Sequence, residues 1–90
     1  MVKEKGTTQI AKDEKTGNVY ELILFNDNVN DFVFVIDSLI EVCELDPIQA
    51  EQITLITHEK GKCGVISGTL NELKPKYQIL TDRGLTVSIE

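Results

Sequence analysis

The sequence predicts a two-layer α/β (α+β) sandwich in the order β-α-α-β-α-β, a three-stranded sheet with the helices on one face. Three observations lead there. Residues 19–25 are a short, almost continuous apolar run, the signature of a central strand. Apolar side chains then recur at 32, 35, 36, 39, 40 and 43, the spacing of one helix face. Finally, Asp46-Pro47-Ile48-Gln49 reads as a helix start, with Asp46 at N-cap, Pro47 at N1 and Gln49 closing a capping box.

In chain order, residues 1–18 are polar, contain two glycines and keep no period, so they are expected to form a flexible arm, with the folded domain at 19–90. The strand over 19–25 carries only one charge, Glu21. A polar turn, Asn26-Asp27-Asn28, follows, and Asn30 is the expected N-cap of a helix over 30–44, with Asp31 at N1. Asp37, Glu41 and Glu44 form its polar stripe and leave Phe34 partly exposed. The second helix is expected to end at Lys60 with Gly61 at C′. Ala50, Ile53, Ile56 and Thr57 would be its inner stripe, while Thr54 and His58, four apart, share another face. A strand over 62–67 follows. Thr69-Leu70-Asn71-Glu72 is a further capping box, but Pro75 is expected to stop that helix after one turn and restart it, because its ring clashes with the Asn71 carbonyl. Leu85, Val87 and Ile89 alternate in a last strand over 85–90.

Composition limits what such a domain can do. The chain has 90 residues, 41% hydrophobic and 27% charged, enough for one globular domain with a modest core. No apolar run approaches the roughly 20 residues of a membrane span, and the first residues lack the apolar core of a secretory signal. A net charge of −6, with +1 of it on residues 1–18, excludes nucleic acid and anionic membrane as natural partners and suits something cationic. Cys43 and Cys63 lie in an apolar helix and an apolar strand, so both are expected to be reduced, in a cytoplasmic protein.

Few residues carry chemistry. One histidine, no CxxC spacing, no phosphate-binding glycine loop and no nucleophile motif give no expectation of a metal, a cofactor or catalysis. Asn26-Asp27-Asn28 reads either as a capping turn or as a site for a cation. His58 reads either as a surface residue near the negative end of its helix or as a ligand. An ammonium has three donors and no acceptor, so an amide oxygen, a carboxylate and a neutral imidazole together would suit it.

The ordered strings Tyr20-Glu21-Leu22-Ile23-Leu24-Phe25-Asn26-Asp27, Phe34-Val35-Ile36-Asp37, Ala50-Glu51-Gln52-Ile53, His58 with Gly61-Lys62 and Cys63-Gly64-Val65, and Glu72 with Lys74 resemble the ClpS family, adaptors of the ATP-dependent Clp protease. The resemblance runs from about residue 19 to the last residue and implies the fold already read from the pattern. It also implies a non-enzymatic, monomeric adaptor that binds N-terminal (N-degron) residues of substrate proteins and delivers them to the N-terminal domain of a Clp-type AAA+ ATPase. On that basis Asn26, Asp27 and His58 would hold the substrate's α-amino group, with Asn28 and Asn30 beside them. Phe32, Val35, Thr54 and Leu85 would enclose its first side chain, and Thr69, Glu72 and Lys74 would face the motor. Asn28 stands where the family usually has a second Asp, Asn30-Asp31 where it has Thr-Pro, and Phe32 and Thr54 where it has methionines. An interaction domain of the same fold without amine recognition, as in the C-terminal domain of the ribosomal stalk protein, is the alternative reading. An enzyme pairing Asp27 with His58 is a third, weakened by the missing nucleophile and cofactor motif.

Overall fold

The computed structural model describes residues 18–90; the expected arm, Asn18 apart, lies outside them. Three strands and three helices follow in the predicted order: β1 (Tyr20–Phe25), α1 (Phe32–Cys43), α2 (Pro47–Lys60), β2 (Lys62–Gly68), α3 (Leu70–Asp82) and β3 (Thr86–Ile89). The sheet order is β2-β1-β3, antiparallel throughout, so the first strand lies at the centre. That position explains its continuous apolar run. Leu22 and Leu24 point into the helical layer at 0% and 2% exposure, and Ile23, on the opposite face, is still buried.

Beyond the pairing of Leu22 with Ile66, the β1–β2 register slips by one residue, and Ile23 pairs with Gly64. Val65, the residue passed over, is buried in the core, so the bulge delivers an extra apolar side chain from an edge strand. The helices complete the core with Leu39, Val42, Ala50, Ile53, Leu73 and Leu80, and each fully buried leucine contributes roughly 1.5–3 kcal/mol. Cys43 and Cys63 are free thiols packed in or against this core, and burial pushes both above their ordinary titration range.

Four local expectations are corrected. The N-cap of α1 is Asp31 rather than Asn30: the Asp31 carboxylate accepts from the Phe34 amide at 2.9 Å, and Asn30 is engaged elsewhere. In α2, Asp46 accepts from the amides of Ile48 and Gln49, but the reciprocal Gln49 bond of a capping box is not formed. The inner stripe of α2 is Ala50, Ile53, Thr54 and Thr57. Ile56 lies outside it at 40% exposure, because its direction falls away from the helix's buried side. Lastly, α3 runs unbroken from Leu70 to Asp82 with Pro75 inside it. The proline removes only the bond to the Asn71 carbonyl. Both Asn71 and Pro75 are exposed, so the gap lies on the solvent side of the helix rather than in the core. The complete Thr69–Glu72 capping box and the buried Leu73 and Leu80 hold the helix on either side of the gap.

Two glycines close the turns that flank the segment between β1 and α1. Gly61 ends α2 at φ 97°, and Gly84 comes after α3 at φ 91°, both in the left-handed region that a side chain disfavours. At the second turn, Gly84 N–H bonds the Thr81 carbonyl and Leu85 N–H the Leu80 carbonyl, a Schellman closure that packs Leu85 against the core. Among the described residues no helix is long and apolar enough to cross a membrane.

Candidate functional site

The segment between β1 and α1 is held at both ends by those glycine turns. Asn26 N–H donates to the Gly61 carbonyl at 2.9 Å, bringing the start of the segment against the last turn of α2, where His58 lies. Farther along, the Asn30 side-chain amide donates to the Gly84 carbonyl at 2.9 Å. Asp27 organises the residues between. One of its oxygens accepts from the Val29 and Asn30 amides, both at 3.0 Å, as an Asx turn does. The Asn30 side chain lies 3.2 and 3.1 Å from the two oxygens, and Thr86 Oγ1 donates across from β3 at 3.3 Å.

Partial burial by itself would raise the Asp27 titration. The bonds from the Asn30 and Val29 amides, the Asn30 side chain and the Thr86 hydroxyl outweigh it and hold the carboxyl below its ordinary value of 3.8. Asp27 is therefore an ionised group with most of its lone pairs already used inside the protein. The side chains of Asn26 and Asn28 are exposed and keep their oxygens and amides for a visitor.

These residues border a cavity of about 340 Å³ whose lining includes Asn26, Asp27, Asn28, Asn30 and His58. Phe32 and Val35 from α1, Thr54 from α2 and Leu85, just before β3, line the same cavity. All nine residues expected to contact substrate thus lie around one space. A T-shaped contact between the Phe32 and His58 rings, centroids 5.9 Å apart at 81°, joins the apolar and polar lining groups.

Thr54 looks like a free polar group in the sequence, but its hydroxyl hydrogen is already given to its own helix, donated to the Ala50 carbonyl at 2.8 Å. Thr57, which also lines the cavity, does the same with Ile53. From the sequence Thr57 is expected in the core stripe only, and Leu24, Phe25 and Asp31 are not expected as lining groups, yet all four border the space. The signal available for Thr57 is its place about one turn after Thr54 on the same side of α2.

The residues expected to face a motor lie at the start of α3, away from the cavity lining. Thr69 is 5% exposed and its hydroxyl accepts from Glu72 N–H, so it is a cap rather than a contact surface; Glu72 and Lys74 are on the surface. Among the described residues no cluster of His, Cys, Asp and Glu is placed to hold a metal ion.

Comparison with known proteins places this geometry in a family. The sequence model of the ATP-dependent Clp protease adaptor protein ClpS matches residues 15–88. The ATP-dependent Clp protease adapter protein ClpS of Nitratidesulfovibrio vulgaris is 34% identical over 73 residues, covering 78% of this chain and 73% of the relative. The protein of the same name from Cronobacter sakazakii is 34% identical over 82 residues, covering 84% and 77%. In fold, the chain is similar to Agrobacterium tumefaciens ClpS2, solved bound to L-phenylalaninamide, with a TM-score of 0.76 at 22% identity over 80% of this chain and 94% of that one. With an adaptor-family match over most of its length, relatives of the same family and the same fold, the chain belongs to the ClpS family.

Proposed function

We propose that this protein is a non-catalytic, cytoplasmic, monomeric adaptor that holds the N-terminal residue of a substrate protein and presents it to a Clp-type AAA+ ATPase. The observation that carries the reading is that one cavity is lined by both kinds of group: Asn26, Asp27 and His58, which we assign to its amine-binding end, and Phe32, Val35, Thr54 and Leu85, which we assign to its side-chain-binding end. A free N-terminal residue has the matching form, an ammonium joined through one carbon to a side chain. Asn26 and Asn28 offer oxygens to the ammonium, a ring nitrogen of His58 accepts from it, and Asp27 supplies the opposite charge. The first side chain then lies between Phe32 and Thr54 and Thr57. L-Phenylalaninamide, the ligand of the structural neighbour, has a free amine on an aromatic residue and fits the same description. Glu72 and Lys74 at the start of α3 are the surface we assign to the motor.

The test is binding of peptides that differ only at residue one, Phe, Tyr, Leu or Ala, each with a free and an acetylated N-terminus. Free aromatic N-termini should bind best, and acetylation, which removes the charge, should abolish most of the affinity. Equal binding of free and acetylated peptides would reject amine recognition and leave an interaction domain of the same fold.

A further inference from the structure

Asn30 shows why the two ends of the cavity are not independent. Its side-chain nitrogen has two hydrogens and three acceptors around it: both Asp27 oxygens and the Gly84 carbonyl. Turning the amide over would set its oxygen against a carboxylate and a carbonyl, so the chemistry fixes the orientation. One hydrogen serves Asp27 and the other Gly84, which leaves no donor to spare. Gly84 belongs to the Schellman turn and immediately precedes Leu85, which is 4% exposed and lines the apolar end. A single side chain therefore spans from the charged group of the site to the turn that sets the position of an apolar wall.

We infer that Asn30 is a positioning residue whose side-chain amide couples the Asp27 carboxylate to the Gly84 turn, so that the amine-binding and side-chain-binding ends are held in one fixed spacing. This rests on the reading of the cavity as an N-terminal-residue site, but its mechanism is testable apart from that reading. Asn30 acts through Asp27 and Leu85 rather than by touching the ligand. Thr86, the other side chain on Asp27, reaches only the carboxylate and cannot replace the link to Gly84.

Two measurements on the full chain decide it. The first compares the affinities of free and acetylated Phe-initiated peptides in wild type, Asn30→Ala, Asp27→Asn and the double variant. Asn30→Ala should lower the free-to-acetylated ratio roughly tenfold, the size expected when a charged group loses a hydrogen-bonded partner. In the Asp27→Asn background the same substitution should change that ratio by less than about twofold, since coupled residues are not additive. A full, additive loss in that background would show that Asn30 meets the ligand itself and would overturn the inference.

The second measurement tracks the Asp27 carboxyl by ¹³C NMR titration, with Asp31 and His58, the other titratable groups lining the cavity, assigned separately. Removing the amide should move the Asp27 midpoint upward, towards that of a free carboxyl. An unchanged Asp27 midpoint in a folded Asn30→Ala protein would overturn the inference. If wild type fails to distinguish free from acetylated peptides, the functional reading falls, and the titration still decides whether Asn30 positions Asp27.

Discussion

At the loop end of the cavity, Asp27 accepts from two backbone amides, one amide side chain and one hydroxyl. On the helix side, Phe32 packs in a T-shaped contact with His58, one of the groups assigned to the ammonium, and stays 39% exposed. The first region is specified by directional bonds that fail if any partner shifts. The second is specified by shape and contact, which tolerate exchange among side chains of similar bulk. The polar end is thus suited to what every free N-terminus shares, the ammonium, and the apolar end to what varies. A recognition site can be strict about the constant part of its ligand and permissive about the variable part by building the two from different interactions.

The comparison breaks most readily at Asp27. Asp27→Ala should weaken binding of a free N-terminal peptide by roughly 1.5–3 kcal/mol, the range for a hydrogen bond to a charged group. Calorimetric titration would measure it, and a loss below about half a kcal/mol would show that the carboxylate's charge does not reach the ligand.

The same carboxylate should leave a mark on stability without any ligand. Native bonding holds Asp27 below its ordinary value of 3.8, so the unfolded chain takes up its proton first as the solution is acidified. The stability contributed by Asp27 is therefore present above that value and disappears as the pH falls through the lower native one. Melting curves of wild type and Asp27→Asn should differ near neutrality and converge in strong acid. A constant gap across that range would mean that Asp27's bonds stabilise its protonated form equally well.

At the other end, effects should be smaller and should depend on residue one. An aromatic first side chain can meet the Phe32 ring edge to face, worth roughly 0.5–1.5 kcal/mol beyond its buried area. Phe and Tyr should outrank Leu in competition binding, and Phe32→Met should narrow the gap. Leu above both aromatics in wild type would assign selectivity to another wall.

The smallest effect should come from Thr54→Val. Its hydroxyl hydrogen is donated within its own helix to the Ala50 carbonyl, so the substitution removes a donor that is already used. Peptide affinity should change by less than about 0.5 kcal/mol, and the ranking of Phe against Tyr should hold, because no bond to a tyrosine hydroxyl is lost. A selective loss for Tyr would show that the Thr54 hydroxyl turns to the ligand.

The strands and the first two helices are legible in the sequence because their signals are local: apolar period, Asp46-Pro47 and Gly61. Asn26, Asp27 and His58 are legible because their types match a family pattern in order; Asn28, Asn30, Phe32 and Thr54 are legible only by their positions in it, since their types depart from it. Two features stay hidden for the same reason, that they depend on tertiary packing and bonding rather than on the local string. Asn30 looks like an N-cap until the Gly84 carbonyl, 54 residues away, claims its amide and leaves the cap to Asp31. Pro75 looks like a helix break until Leu73 and Leu80, anchored in the core, hold the helix across one missing bond. Thr54 misleads differently: composition shows that a hydroxyl exists, but only the helix backbone shows which way it faces.

The central position of β1 also has a consequence in time. Both of its neighbours come later in the chain, and Glu21 exchanges two backbone bonds with Glu90 at 2.7 and 2.9 Å. The loop after β1 likewise waits for Gly84 and Thr86 before Asn30 and Asp27 have their partners. These are long-range closures, which carry their entropic cost before any contact repays it. During synthesis, the residues that would grip a substrate are made early but stay unassembled until the last strand emerges. A chain cut before Gly84 would keep Asn26, Asp27 and His58 but lose the Gly84 and Thr86 groups that Asn30 and Asp27 bond.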